Sequence, residues 1–405
     1  MREGWGSRPL GDVLRQVQRP VSVGGLDLVP FAGVRWYAEG VYHRDDVPAS
    51  TVKTKTLNRI VFGDIVYNRM WATKASFGVV KDDADGCLVT NDFPIFEVTE
   101  AVLPGFVGLL FQWQQFQTAA AAAATGTTER KRLNEKEFVR IKMPIPPLRE
   151  QRRIVDLIGA LDDTVESAEV AARNARRSAA SILVHPTWEI ANTVPLESVF
   201  EHVIGGTWGD PPGVSEVPVL ALGPKSYAGR VEVDAETATQ RSLSSKRAAE
   251  RVLRPGDIVL ERSGGSLAQP VGRVIRMSNE GAPNVVPSDF QRLLRPDPSK
   301  AHAGFVFWSM WANYESGAVI PFQKATTSIR NLNIPQYLSQ SRIALPAVEE
   351  QVRFAALAES FEAVVNRHEQ QAKQLRELRS NVLTALMCGV HVIPDSYDEL
   401  MGVAS

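Results

Sequence analysis

The residues whose types could carry chemistry in this chain are few, and their spacing does not bring them together. Asp210-Pro211-Pro212-Gly213 has the acid and the prolines of the loop with which amino-group DNA methyltransferases hold a flipped base. That loop needs an aromatic ring to stack on the base. Gly213 stands in its place, and no glycine-rich strand-to-helix turn for a nucleotide cofactor lies upstream. Pro296-Asp297-Pro298-Ser299-Lys300 lacks the second acid of a metal-dependent nuclease. No phosphate-binding GxxxxGK loop occurs, and Gly264-Gly265-Ser266 reads as a turn. The 6 histidines and the 2 cysteines, Cys87 and Cys388, are scattered without metal-ligand spacing. No catalytic centre and no metal site can be assembled from these residues, so the chain is not expected to be an enzyme.

What the sequence does instead is repeat itself. PIPPLREQRRI, beginning at Pro144, returns as ALPAVEEQVRF at Ala344, 200 residues later. Pro146, Glu150, Gln151 and Arg153 fall in register with Pro346, Glu350, Gln351 and Arg353. Gly63-Asp64-Ile65 returns as Gly256-Asp257-Ile258, and Asp92-Phe93 as Asp289-Phe290. Thr127-Thr128 with Leu133-Asn134 returns as Thr326-Thr327 with Leu332-Asn333. Solenoid periods run to about 50 residues, so this is a duplicated domain.

The elements that must position these markers follow. Runs such as LNRIVFGDIVYNRM and RVLRPGDIVLERS alternate β-branched and apolar residues between turn signals, which predicts short strands. A helical piece over roughly 105–124 includes the alanines at 119–124, and FVFWSMWANYES is its later counterpart, with Trp308 and Trp311 read as core. After each module a helix of roughly 35 residues is predicted, about 50 Å long. Ile154, Ile158, Leu161, Val165, Ala168, Ala172, Ala175, Ala179 and Ile182 keep 4-3 spacing in the first. Leu357, Phe361, Val364, His368, Gln371, Leu375, Leu378, Val382 and Ala385 keep it in the second, with His368 and Gln371 as polar register-setters in the seam. Small alanines against larger side chains favour an antiparallel pair. His185-Pro186 ends the first helix, and Gly389 with Pro394 the second.

The fold class expected is α+β: two similar recognition domains, mixed sheet with short helices, separated by two long helices in an antiparallel coiled coil, with an internal pseudo-twofold repeat. The boundaries are 1–145 and 188–345 for the domains, 146–187 and 346–389 for the helices, and 390–405 for a tail. A hydrophobic fraction of 44% and charged fraction of 22% are those of an ordinary globular protein. No long apolar run suits a membrane span, no signal-peptide core opens the chain, and two isolated cysteines suit a reduced setting, so a cytoplasmic location is expected. The net charge of −1, from 45 basic and 46 acidic residues, leaves nucleic-acid binding open, since a local basic face can hide in the average.

The repeated P-x-x-x-EQ motif opening each long helix, with GDIVYNRM and GDIVLERSGG and the Thr-Thr segments, resembles the specificity subunit of type I restriction–modification systems, HsdS. The resemblance spans nearly the whole chain and departs after Arg69, where WATKAS replaces the Ser-Gly-Gly type of turn at Ser263. It implies that each module is a target-recognition domain for double-stranded DNA, that the helices are a spacer, and that the chain performs no chemistry. The implied partners are two methyltransferase subunits and two restriction/motor subunits. S-adenosylmethionine, ATP and Mg are expected on those partners and no cofactor in this chain. Arg, Lys, Gln and Ser reach base edges, while most basic side chains touch phosphate. The candidate DNA contacts are Lys53, Lys55, Arg69, Lys74, Ser76, Arg130 and Lys131 in the first module. In the second they are Arg262, Ser263, Gln269, Arg273, Lys324 and Arg330. Lys53, Lys55, Arg69 and Lys74 show no clear counterparts at Arg262, Gln269 and Arg273, which implies an asymmetric bipartite target with a fixed gap. A specificity subunit of another bipartite methylation system, or a coiled-coil adaptor that binds protein and shows no salt-dependent duplex binding, are the alternatives.

Overall fold

The computed structural model describes residues 5–126, 131–184, 193–227, 231–266, 269–278, 282–325 and 329–400. Arg130, both Thr-Thr pairs and His185-Pro186 lie outside the described residues. The chain divides into two units, Met1–Ser167 with Gln371–Ser405, and Ala168–Gln370.

In the first unit Gly6–Pro9 pairs antiparallel with Lys142–Ile145. A four-stranded antiparallel sheet follows, in the order Leu14–Val17, Ile95–Val98, Ile65–Tyr67, Phe77–Val79. Helices Pro104–Gln112 and Gln114–Ala123 close over an aromatic core of Tyr67, Phe77, Phe96, Phe111, Phe116 and Phe138. The single helical piece expected here is broken at Trp113, which takes an extended backbone (φ −76, ψ 129) and is buried in that core. A five-stranded mixed sheet lies beside this frame, ordered Pro20–Ser22, Thr56–Arg59, Leu88–Val89, Leu28–Val34, Val41–Pro48.

The second unit repeats the frame. Thr193–Pro195 pairs with Arg342–Ala344, and the sheet runs Phe200–Gly205, Gln291–Pro296, Ile258–Glu261, Val274–Arg276. Helix Ala303–Glu315 buries Trp308 and Trp311 against it. What differs is the periphery: two three-stranded sheets replace the five-stranded one. One is Thr239–Leu243, Val217–Ala221, Val285–Val286, and the other Ser263–Gly265, Arg330–Leu332, Gln323–Ala325.

The repeated Gly-Asp-Ile has one physical job in both units. Gly63 and Gly256 take φ of +84 and +86, a left-handed turn that favours glycine. The following aspartate closes the turn by accepting from the amide three residues back, Val61 to Asp64 at 2.8 Å and Arg254 to Asp257 at 2.7 Å. Each carboxylate then takes a two-pronged arginine, Arg19 on Asp64 and Arg295 on Asp257.

The long helices are Leu148–Val184 and Val348–Met387. In the first unit Ile154 and Ile158 share a core with Leu383, Leu386 and Met387. In the second, Ala179, Ala180 and Leu183 share one with Phe354, Ala355 and Ala358. The start of one helix meets the end of the other in each unit, so the pairing is antiparallel. The first seam follows the expected spacing except at Ile182, which is exposed. The second seam is one residue further along than expected. Ala358, Glu362, Val365, Ala372, Leu383 and Leu386 are buried, while Leu357, Val364 and Leu378 are 46%, 47% and 49% exposed. Gln371 is exposed and His368 half-buried, so neither sets the seam register. The true stripe carries charges that find opposites: Arg176 Nη1 lies 3.3 Å from Glu369, and Arg379 Nε 2.7 Å from Asp162. Burial raises the Glu362 carboxyl pKa, with Arg176 pulling the other way. Counting apolar residues misses a seam that includes Glu362 and the ion-paired Glu369 and Arg379.

Candidate DNA interface

The repeated motif residues build the frame rather than a reading surface. Gln151 Nε2 donates to the carbonyls of Pro146 (2.8 Å) and Ala101 (2.9 Å), while its Oε1 accepts from the Leu103 amide at the start of helix Pro104–Gln112. Gln351 does the same, donating to Pro346 O at 2.9 Å and accepting from the His302 amide at 2.8 Å. Each long helix is thereby fastened to the start of the helix covering its own sheet. Glu150 accepts from Trp5 Nε1 at 2.6 Å, whereas Glu350 and Arg353 make no ion pair among the described residues. Arg153 is only 5% exposed and holds Asp398 at 2.6 Å and Asp395 at 2.8 Å, residues of the tail after the second helix.

In the second module several sequence candidates converge. Ser263 stands opposite Asn331, and Asn331 opposite Lys324, so the three make one cross-strand row. Arg330 occupies the neighbouring row against Gly265. Arg262 immediately precedes this sheet, its amide donating to Phe290 O and its carbonyl accepting from the Leu332 amide, both at 2.8 Å. Gln269 is exposed at the turn after Gly265, its carbonyl accepting from the Ser266 amide. Arg273 is withdrawn from the candidates: its guanidinium pairs at 2.6 Å with Glu261, a carboxylate 1% exposed, and so neutralises the sheet interior. Asn331, Phe290, Arg292 and Trp208 were not singled out by sequence. Phe290 follows the repeated aspartate, which was the signal available for it.

In the first module Lys53, Lys55, Lys74 and Lys131 are exposed. Lys53 and Lys55 precede the strand Thr56–Arg59 of the five-stranded sheet, and Lys74 ends the turn that follows Arg69. Ser76 is also withdrawn: it is fully buried and its Oγ donates to Val34 O at 2.9 Å. Arg69 does have a counterpart, contrary to expectation. Its amide donates to Asp92 O and its carbonyl accepts from the Leu133 amide, the same backbone station as Arg262. The two differ in company, since Arg69 is ion-paired with Glu135. Near it Trp36 and Trp71 are both exposed, their rings 5.1 Å apart. Three of the non-glycine residues at positive φ, Tyr37, Ala38 and Ala75, gather in the same loops. Among the described residues no helix is long and apolar enough to cross a membrane, and no group of three or more His, Cys, Asp or Glu is placed to hold a metal ion.

Residues 31–174 match the family described as the type I restriction modification DNA specificity domain. No curated protein sequence matches the chain. A solved chain reported for the structural basis of complex assembly and conformational transition of the type I R-M system is 17% identical, with 96% of this chain and 98% of that one covered and a TM-score of 0.59. That likeness carries the fold. The HsdS subunit from Thermoanaerobacter tengcongensis is 17% identical over 96% of this chain and 97% of its own, with a TM-score of 0.42. The type I restriction–modification S subunit from M. genitalium is 12% identical over 94% and 96%, with a TM-score of 0.47.

Proposed function

We propose that this chain, which carries a type I restriction–modification DNA specificity domain, is the sequence-reading subunit of a DNA methylation complex and performs no chemistry itself. Each module reads one short half-site, and the long helices fix the unread gap between them. The observation that carries this reading is one frame built twice with different peripheries: the same four-stranded sheet bears a five-stranded sheet in one module and two three-stranded sheets in the other. Two frames alike in topology dock alike, while unlike peripheries read unlike bases, which makes the target bipartite and asymmetric. Two adenine methyltransferase subunits and two motor-nuclease subunits are the partners of this reading, with S-adenosylmethionine, ATP and Mg bound there.

The test is genome-wide adenine methylation in cells with and without this gene, its neighbouring methyltransferase gene intact. Loss of one gapped, asymmetric motif modified on both strands is the expected result. An unchanged methylation pattern, together with no salt-dependent binding of duplex by the assembled complex, leaves a coiled-coil protein adaptor as the better reading.

A further inference from the structure

At one end of the second module's four-stranded sheet, positive charge gathers without an ion-paired carboxylate among the described residues. Arg292 sits in the central strand Gln291–Pro296, between Gly205 on one neighbour and Leu260 on the other. Its Nη1 passes 2.8 Å from where a Cβ on Gly205 would stand, so glycine at that position leaves the guanidinium room to lie across the sheet. Phe290 stands in the turn that leads into this strand, two residues before Arg292. Arg262, whose amide meets Phe290 O, closes the group.

Other arginines of this sheet hold carboxylates: Arg273 on Glu261, Arg276 on Glu359 and Arg295 on Asp257. Arg262 and Arg292 form no ion pair among the described residues, and the only hydrogen bond of the Arg292 side chain there is a 3.3 Å contact to Gln291 O. Burial first, and then the charge of Arg262, push the Arg292 guanidinium down, with Asp289 offsetting part of this. The frame does not require this arrangement. The first module neutralises the Arg262 station with Glu135, and its strand register sets Ile95 opposite Val66 as Leu293 is set opposite Val259, so Pro94 precedes it where the second module has Arg292. A half-buried cation beside a second cation costs stability unless an acceptor-rich group completes it.

We propose that Arg262 and Arg292 act as a pair that reads a guanine edge in the half-site of the second module, with Phe290 as the apolar wall beside it; this rests on the DNA-reading function above. Guanine offers two adjacent major-groove acceptors, O6 and N7, that suit a held guanidinium. Phosphate contacts need no such fixing across a sheet, and gain nothing from Phe290, which is 37% exposed and edge-on to Trp208 at 6.2 Å.

The test uses the complex of this chain with its methyltransferase subunits, on duplexes of the mapped motif and on duplexes with each half-site base replaced. Arg292→Gln, and separately Arg262→Gln, are expected to lower discrimination about 10- to 100-fold at one G·C pair of one half-site and nowhere in the other. The thermal midpoint of Arg292→Gln without DNA is expected to hold or rise, since an uncompensated cation is gone. Uniform loss at every position, with the salt slope reduced by about one, means phosphate contact and overturns the guanine reading. Unchanged discrimination in both variants overturns the site, and a lowered midpoint with unchanged discrimination makes Arg292 a structural residue. Wild-type complex without any sequence-dependent methylation is a different failure, because it removes the DNA-reading function itself.

Discussion

Gln151 and Gln351 show at the residue scale why a motif can be legible while its purpose is not. Their repetition stands out in the sequence, yet only the structure shows each amide fastening a helix start to a backbone amide and a proline carbonyl. Gln351→Ala removes the acceptor for the His302 amide and the donor to Pro346 O, and is expected to cost about 1–3 kcal/mol in urea denaturation of the chain. Arg153 and Arg353 look equivalent in the sequence and are not, because Arg153 is committed to Asp395 and Asp398. The Arg153 guanidinium holds the Asp398 carboxyl well below the usual carboxylate range, with Arg149 adding to it. Asp395 is lowered for the same reason. A carboxylate whose folded value is depressed contributes stability that is present above its unfolded value and lost as pH falls through the folded one. Protection of the tail after Gly389 from protease is therefore expected to persist at about pH 4, where unperturbed aspartate titrates, and to fail in stronger acid. Arg153→Ala is expected to expose the tail at neutral pH. A tail equally resistant in Arg153→Ala and wild type over that range would remove the clasp from the account.

Elements were legible where burial is purely apolar. The GDI strands, the antiparallel sense of the helices and the seam from Ile154 to Ala179 followed from pattern, because alternation and 4-3 spacing report which faces leave water. The second helix misleads because its best apolar heptad, Leu357, Val364 and Leu378, faces solvent, while the buried stripe one residue along includes Glu362 and Arg379. The difference of one position is measurable. Val365→Asp puts a charge where the side chain is 1% exposed and is expected to cost about 3 kcal/mol or more, whereas Val364→Asp, 47% exposed, is expected to stay within about 0.5 kcal/mol of wild type. Chemical denaturation of the two variants checks the register directly, and the reverse order of effects would restore the apolar seam. The break at Trp113 was hidden for a related reason: a helix former follows on both sides, and only the core's need for the indole bends the chain there.

For the whole molecule, duplication was the strongest signal in the sequence because frame residues are constrained in both copies alike. The proposed reading surface was the weakest, since Asn331 becomes a neighbour of Ser263, and Phe290 of Arg262, only through the folded backbone. The long helices belong to both units, the first crossing from one to the other at Ser167 and the second at Gln370. If they fix the unread gap, its length is written in residues. Inserting seven residues into each helix at those points keeps the 4-3 phase of both seams and adds about 10 Å of helix. At about 3.4 Å per base pair, the gap in the methylated motif is expected to grow by about three base pairs, with both half-sites unchanged. A four-residue insertion adds about 6 Å, or nearly two base pairs, but breaks the seam phase, so it is expected to lower stability as well. Mapping methylated sites for the two insertions separates length from packing. A gap that stays constant while stability falls would mean that the helices hold the units together without measuring the DNA.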